Sequence, residues 1–134
     1  MKRLVVLLSG NGSNLQAILD ACAANLLPAA VVAVLSNKPE AYGLERARRA
    51  AVPAIAFPPL EGEPRRAYDS RLAAFVSTCL PDYIVLAGWM RLLSSDFLSA
   101  FPNRVINLHP ALPGTFPGTH AIEQIGRASC RERG

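Results

Sequence analysis

The chain has 134 residues, 51% of them apolar and 18% charged, a composition that fits one globular domain and excludes a disordered or low-complexity one. The net charge is +4, but Arg127, Arg131 and Arg133 against Glu132 supply half of that excess in the last ten residues. The other charges form no basic stripe with aromatics between them, so nucleic acid is not an expected partner. No apolar run approaches the roughly 18–20 residues of a membrane span, and the early run Leu4–Leu8 leads into polar residues rather than a cleavage site. Neither a membrane nor a signal peptide is expected, and the expected location is cytoplasmic.

In chain order, strand and helix patterns alternate. Arg3–Ser9 is a continuous leucine and valine run, as in a strand buried on both faces. Asn14–Asn25 places Leu15, Ile18, Leu19 and Cys22 on one helical stripe. Ala30–Ser36 reads as a second buried strand, and Ser36-Asn37-Lys38-Pro39 as a turn. Tyr42–Ala51 reads as a short helix with Glu45, Arg46, Arg48 and Arg49 turned outward.

Pro53–Phe57 is a third, shorter strand, and 58–62 a loop. Pro64 falls in the first turn of the next helix, where its missing N–H costs nothing. That helix carries Tyr68, Leu72, Phe75, Val76 and Cys79 at helical spacing and ends by Pro81-Asp82. Tyr83–Ala87 is a fourth strand, Ser94–Ala100 a short helix and Arg104–Leu108 a fifth strand. Five strands joined by helices imply right-handed crossovers: an α/β, Rossmann-like, mainly parallel sheet with flanking helices. In such sheets ligands bind beyond the carboxyl ends of the strands. Of the three cysteines, Cys22 and Cys79 fall on apolar helix faces and Cys130 in the tail; no pair has metal-ligand spacing, and no metal is expected.

Three stretches can carry chemistry. Ser9-Gly10-Asn11-Gly12-Ser13-Asn14 joins the first strand to the first helix. Two glycines allow a tight turn and close backbone approach, Ser13 and Asn14 can cap the helix, and its free N–H groups attract an anion. The loop is neither a Walker loop nor the dinucleotide fingerprint, since Leu15 stands where a third glycine belongs. On its own it reads equally as a well-capped turn. Asn107-Leu108-His109-Pro110 ends the fifth strand, with Asn107 and His109 on one side by alternation. An amide that can hold an oxyanion beside an imidazole that can move a proton suits acyl transfer; a capping asparagine and a partly exposed histidine remain the plain alternative. Gly88-Trp89-Met90-Arg91-Leu92-Leu93 exposes a tryptophan, a methionine and two leucines around one arginine. That suits either packing under the next helix or an aromatic, carboxylate-bearing ligand.

Four stretches in order, VVLLSGNGSNLQAILDA, SNKPEAYGLERA, DYIVLAGWMRLLS and NRVINLHPALPGTFPGTHA, resemble the folate-dependent glycinamide ribonucleotide formyltransferases of purine synthesis. The resemblance implies transfer of a formyl group from 10-formyltetrahydrofolate to the amine of glycinamide ribonucleotide. It assigns the ribonucleotide phosphate to Gly12, Ser13 and Asn14, the folate to Arg65, Met90, Arg91, Leu92, Leu93 and Asn107, and catalysis to Asn107 and His109, with no metal.

The resemblance covers residues 3 to about 124, the expected domain being 1–124. Many members read His-Pro-Ser-Leu-Leu-Pro where this chain has His109-Pro110-Ala111-Leu112-Pro113-Gly114. The family's catalytic aspartate lies downstream of the last residue. Residues 125–134 (IGRASCRERG) resemble no part of the family and are expected to be a non-native tail of sequencing-adapter character on a fold incomplete at its C-terminus. On that expectation the chain by itself has little or no formyltransferase activity. The rivals are another folate formyl-group enzyme (a formyltetrahydrofolate hydrolase or a methionyl-tRNA formyltransferase) and an inactive ribonucleotide-binding fragment. A nicotinamide oxidoreductase would want the missing third glycine and an acidic residue after the second strand, where Ser36-Asn37 stands.

Overall fold

The fold is described by a computed structural model over residues 1–108. Five strands, β1 (Lys2–Leu8), β2 (Ala29–Ser36), β3 (Ala54–Ala56), β4 (Tyr83–Ala87) and β5 (Val105–Leu108), form one sheet in the order β3-β2-β1-β4-β5. Every pairing is parallel, as the alternation of strands and helices predicts. The helices are α1 (Ser13–Ala23), α2 (Tyr42–Arg49), α3 (Arg65–Thr78) and α4 (Ser95–Leu98). None of them is long and apolar enough to cross a membrane.

The two faces of the sheet are covered by different helices. Leu15, Ile18 and Ala21 of α1 and Leu44 and Ala47 of α2 pack on Leu4, Val6, Leu8, Val34 and Val85. Tyr68, Leu72 and Val76 of α3, with Phe97 and Phe101 at and beyond α4, pack on Val5, Leu7, Leu35 and Ile84. Burial on both faces is why β1 and β4 read as unbroken apolar runs rather than alternating ones. β2 departs from strict alternation. Its register against β1 shifts between Leu4 and Val5, and Val32 and Ala33 both fall on the α3 face. That is a bulge, which re-aims the end of the strand.

Starting from β1 the chain builds outward to β3, then returns across β1 to add β4 and β5 on the other side. The connections diverge at the β1–β4 boundary, the place where open α/β sheets generally take their ligands, beyond the carboxyl ends of the strands. Leu8, Ala87 and Leu108 bring the three candidate stretches to that same end of the sheet.

Candidate functional site

Ser9 sits where the loops converge and is 4% exposed. Its hydroxyl donates to Asn37 Oδ1 at 2.6 Å and accepts the Met90 N–H at 2.9 Å, while its own N–H donates to the Gly88 carbonyl at 3.1 Å. One side chain thus joins the loops after β1, β2 and β4. Next to it the Ser36 hydroxyl, fully buried, accepts the Lys38 N–H at 3.1 Å and shapes the turn.

The glycine loop enters α1 differently from the sequence expectation. The N-cap is Gly12, with φ 82° and ψ 26°, and no side chain caps the helix. Ser13 is already the first helical residue and Asn14 the second. The left-handed turn at Gly12 reverses the chain one residue earlier than a serine cap would, a conformation that glycine adopts without strain. The first-turn N–H groups of α1 therefore receive no capping oxygen from Ser13 or Asn14, which leaves the positive end of the helix dipole suited to an anion.

The loop is held from outside by α2. Arg46 Nε donates to the Asn11 carbonyl at 2.8 Å, its Nη2 to Asn11 Oδ1 at 2.6 Å and its Nη1 to Gln16 Oε1 at 3.2 Å. The guanidinium also lies 4.9 Å from the Tyr42 ring centroid. The Gly43 N–H donates to the Gly10 carbonyl at 3.1 Å. Of the four charged α2 residues expected to point outward, Glu45, Arg48 and Arg49 pair among themselves on the surface, but Arg46 bends back onto the loop. A charge pattern along one helix carries no information about a partner 35 residues away.

The stretch after β4 is split between core and surface. Met90 and Leu92 are 78% and 77% exposed. Trp89 and Leu93, expected to be exposed with them, are half-buried against the core under α3 and α4. The reason is the apolar cluster on that face of the sheet, built from Tyr68, Leu72 and Val76 of α3 with Phe97 and Phe101, against which both pack. Arg91 is half-buried too, its guanidinium 4.4 Å from the Tyr68 ring centroid. The Tyr68 hydroxyl donates to the Phe57 carbonyl at 2.5 Å, and burial pushes its pKa up to about 12.

Arg65 is the first residue of α3 and exposed, at the same end of the sheet. Pro64 stands just before the helix as its N-cap. The loop leading there is fixed by Glu63, which accepts from Arg71 Nε at 3.0 Å, from Arg71 Nη2 at 2.9 Å and from the Leu60 N–H at 2.9 Å. Those bonds, Arg71 first, hold the Glu63 carboxyl below the usual carboxylate range.

Asn107 is exposed near the end of β5, with Leu108 buried toward the α1 face, as alternation predicts. His109 and residues 110–118 lie outside the described residues. Cys22 and Cys79 are free and half-buried, the Cys22 thiol pushed up by burial. Among the described residues no three His, Cys, Asp or Glu side chains gather in a metal-binding group.

A family model described as formyl transferase matches residues 2–134. A phosphoribosylglycinamide formyltransferase of Escherichia coli (strain K12) is 45% identical over 98% of this chain and 62% of its own length. Another from Schizosaccharomyces pombe is 47% identical over 94% of this chain and 67% of its own. Among solved structures, glycinamide ribonucleotide transformylase 1 from Symbiobacterium toebii superposes with a TM-score of 0.80 at 45% identity, covering all of this chain and 61% of that one. The chain thus spans about three fifths of the first of these relatives and of that structure. With a family model matched over nearly the whole chain and a solved structure of the same fold, the chain belongs to the formyl transferase family and, within it, resembles the phosphoribosylglycinamide formyltransferases.

Proposed function

We propose that this chain carries the substrate-binding and acyl-transfer motifs for moving a formyl group from 10-formyltetrahydrofolate to the amine of glycinamide ribonucleotide. The observation that carries the reading is the Ser9 junction, which ties the glycine loop to the Met90 loop within hydrogen-bond distance. A two-substrate transfer needs its two binding loops side by side. The names of the relatives support the choice of substrates.

In this reading Gly12, Ser13 and Asn14 bind the ribonucleotide phosphate through the first turn of α1. The folate lies along Met90, Arg91, Leu92 and Leu93 with Arg65 at the rim. The fit rests on two exposed apolar side chains flanking a cation, with the Trp89 Nε1 and Arg91 Nε donors buried and unpartnered among the described residues. When bound, the folate supplies the formyl group. As the amine nitrogen bonds to the formyl carbon, Asn107 would donate its amide N–H to the oxygen on which charge develops; His109 would take the proton that the amine sheds and pass it to the N10 nitrogen of tetrahydrofolate as the formyl C–N10 bond breaks. Each role is expected from sequence register and family resemblance.

The test is a pair of titrations on the 134-residue chain. Glycinamide ribonucleotide should move the amide resonances of Gly12, Ser13 and Asn14, and tetrahydrofolate should change the emission of Trp89, the chain's one tryptophan. A hydrolase-like site would respond to the folate alone. Resonances in the glycine loop that stay still under the ribonucleotide would remove the proposed acceptor.

A further inference from the structure

The loop from Gly88 to Leu93 is anchored at both ends. At its start the Met90 N–H is held by Ser9. At its far end Ser94, the residue before α4, donates its backbone N–H to Asp69 Oδ2 at 2.7 Å across 25 residues of sequence. Asp69 is 0% exposed, the one acidic side chain among the buried described residues. It sits in α3 beside Tyr68, on which Arg91 stacks.

A carboxylate taken wholly out of water is costly unless its lone pairs are used. Here only one oxygen is used: Asp69 Oδ1 has no hydrogen-bond partner among the described residues. The other two such atoms, Trp89 Nε1 and Arg91 Nε, both belong to the anchored loop. A surface link between the same elements already exists, since Arg66 Nε meets Asp96 Oδ2 at 2.6 Å and Ser94 Oγ donates to the same oxygen at 3.3 Å. Arg66 is largely exposed, and such pairs contribute little. If the loop needed only to be covered, an apolar residue at 69 would fill the space without the desolvation cost. What the carboxylate adds is direction: it fixes the backbone of Ser94, and with it the path of the four residues before it.

We propose that Asp69 is a positioning residue for the folate wall. By accepting the Ser94 N–H it sets the carboxyl end of the Gly88–Leu93 loop, so that Met90, Arg91 and Leu92 face the ligand together. This inference rests on the folate reading above.

The test uses the 134-residue chain, tetrahydrofolate as probe and Trp89 emission as signal. Asp69→Ala should weaken tetrahydrofolate binding by about tenfold or more and shift the emission of the free protein. Asp69→Asn, which keeps the shape and an acceptor oxygen, should recover affinity to within about threefold. Glycinamide ribonucleotide affinity should stay within about twofold in both, which a general loosening of the fold would not allow. If Asp69→Ala does not fold, Ser94→Pro tests the bond from its other side: Ser94 has φ −86°, near proline's value, and the change deletes the donated N–H. Folded variants that bind tetrahydrofolate as the unsubstituted chain does would overturn the role of Asp69 alone. An unsubstituted chain that does not bind tetrahydrofolate would overturn the folate reading and this one with it.

Discussion

Gly12→Ala tests whether the turn into α1 is built on glycine's backbone freedom. Two costs can be read from the geometry. At φ 82° an alanine pays the left-handed penalty of about 1–2 kcal/mol. A Cβ built there would also lie 2.7 Å from the Gly43 Cα and 3.3 Å from Arg46 Cδ. The Gly43 backbone cannot retreat, because the space where its own side chain would lie is filled by the Leu8 methyls, 2.5 and 2.6 Å from an ideal Cβ. Overpacking of this kind typically costs about 1–3 kcal/mol, and the stiffer unfolded chain returns about 0.4–1 kcal/mol. The expected loss is about 1–5 kcal/mol, centred near 3, a large part of a typical domain's stability. Urea unfolding should show it as a lower Cm with an unchanged m value. The control is Gly10→Ala in the same loop: Gly10 has no atom within 4 Å of an added Cβ and no positive φ, so that variant should stay within about 0.5 kcal/mol. Equal losses at the two positions would refute the argument, since composition alone would then explain what we attribute to geometry.

Two further outcomes follow from local geometry. Ala51 closes the end of α2 in a left-handed conformation (φ 58°), with the Val52 N–H on the Ala47 carbonyl and the Ala51 N–H on the Arg48 carbonyl. Relieving that penalty against glycine's extra unfolded entropy, Ala51→Gly should stabilise by about 0.5–1 kcal/mol in the same urea assay, whereas Ala50→Gly, at φ −91°, should not. For Tyr68, an unfolded phenol ionises near pH 10 while the folded one holds its proton to about 12. Between those values only the unfolded chain releases the proton, so this contribution to stability is intact below about pH 10 and drains away toward 12. A phenolate absorbance titration of the folded chain should show a step near pH 12 that Tyr68→Phe abolishes; a titration left unchanged by that substitution would contradict the buried hydroxyl.

Much of the fold was legible because apolar patterning is a local signal. β4 was read with its observed bounds, and the other strands differ by one or two residues at their ends. The bulge in β2 was not legible, since in Ala29–Ser36 nearly every residue is apolar and no alternation exists to be broken. The loop chemistry was read in the right place with a partly wrong cause: Ser13 and Asn14 looked like caps by residue type, but the left-handed Gly12 takes that position. Arg46 and Asp69 were missed for one physical reason. Each acts on a loop 25 or more residues away, and on its own helix each reads as an ordinary charged position. Asp69 breaks the polar-out rule, which only a tertiary partner can explain.

The residues that tie the candidate site together are not the ones that face it. In a parallel sheet the carboxyl ends of neighbouring strands lie about 4.8 Å apart, so loops leaving β1 and β4 are adjacent whatever their sequences. Adjacency alone does not fix one loop against the other to the fraction of an ångström that group transfer demands. Ser9 supplies that constraint. Its hydroxyl is donor to the β2 loop and acceptor from the β4 loop at once, and its backbone N–H holds the Gly88 carbonyl. With the hydroxyl buried, moving the Met90 loop away from the glycine loop breaks a bond that water cannot readily replace, a loss of about 0.5–1.5 kcal/mol for a bond that is exchanged and about 1–3 kcal/mol for a group left unsatisfied. Arg46 braces the glycine loop from α2, and Asp69 braces the Met90 loop from α3, on opposite faces of the sheet. Each loop is therefore anchored to its own helix layer and both to Ser9, so a displacement of either helix layer is felt at the junction where the acyl acceptor and donor are proposed to meet.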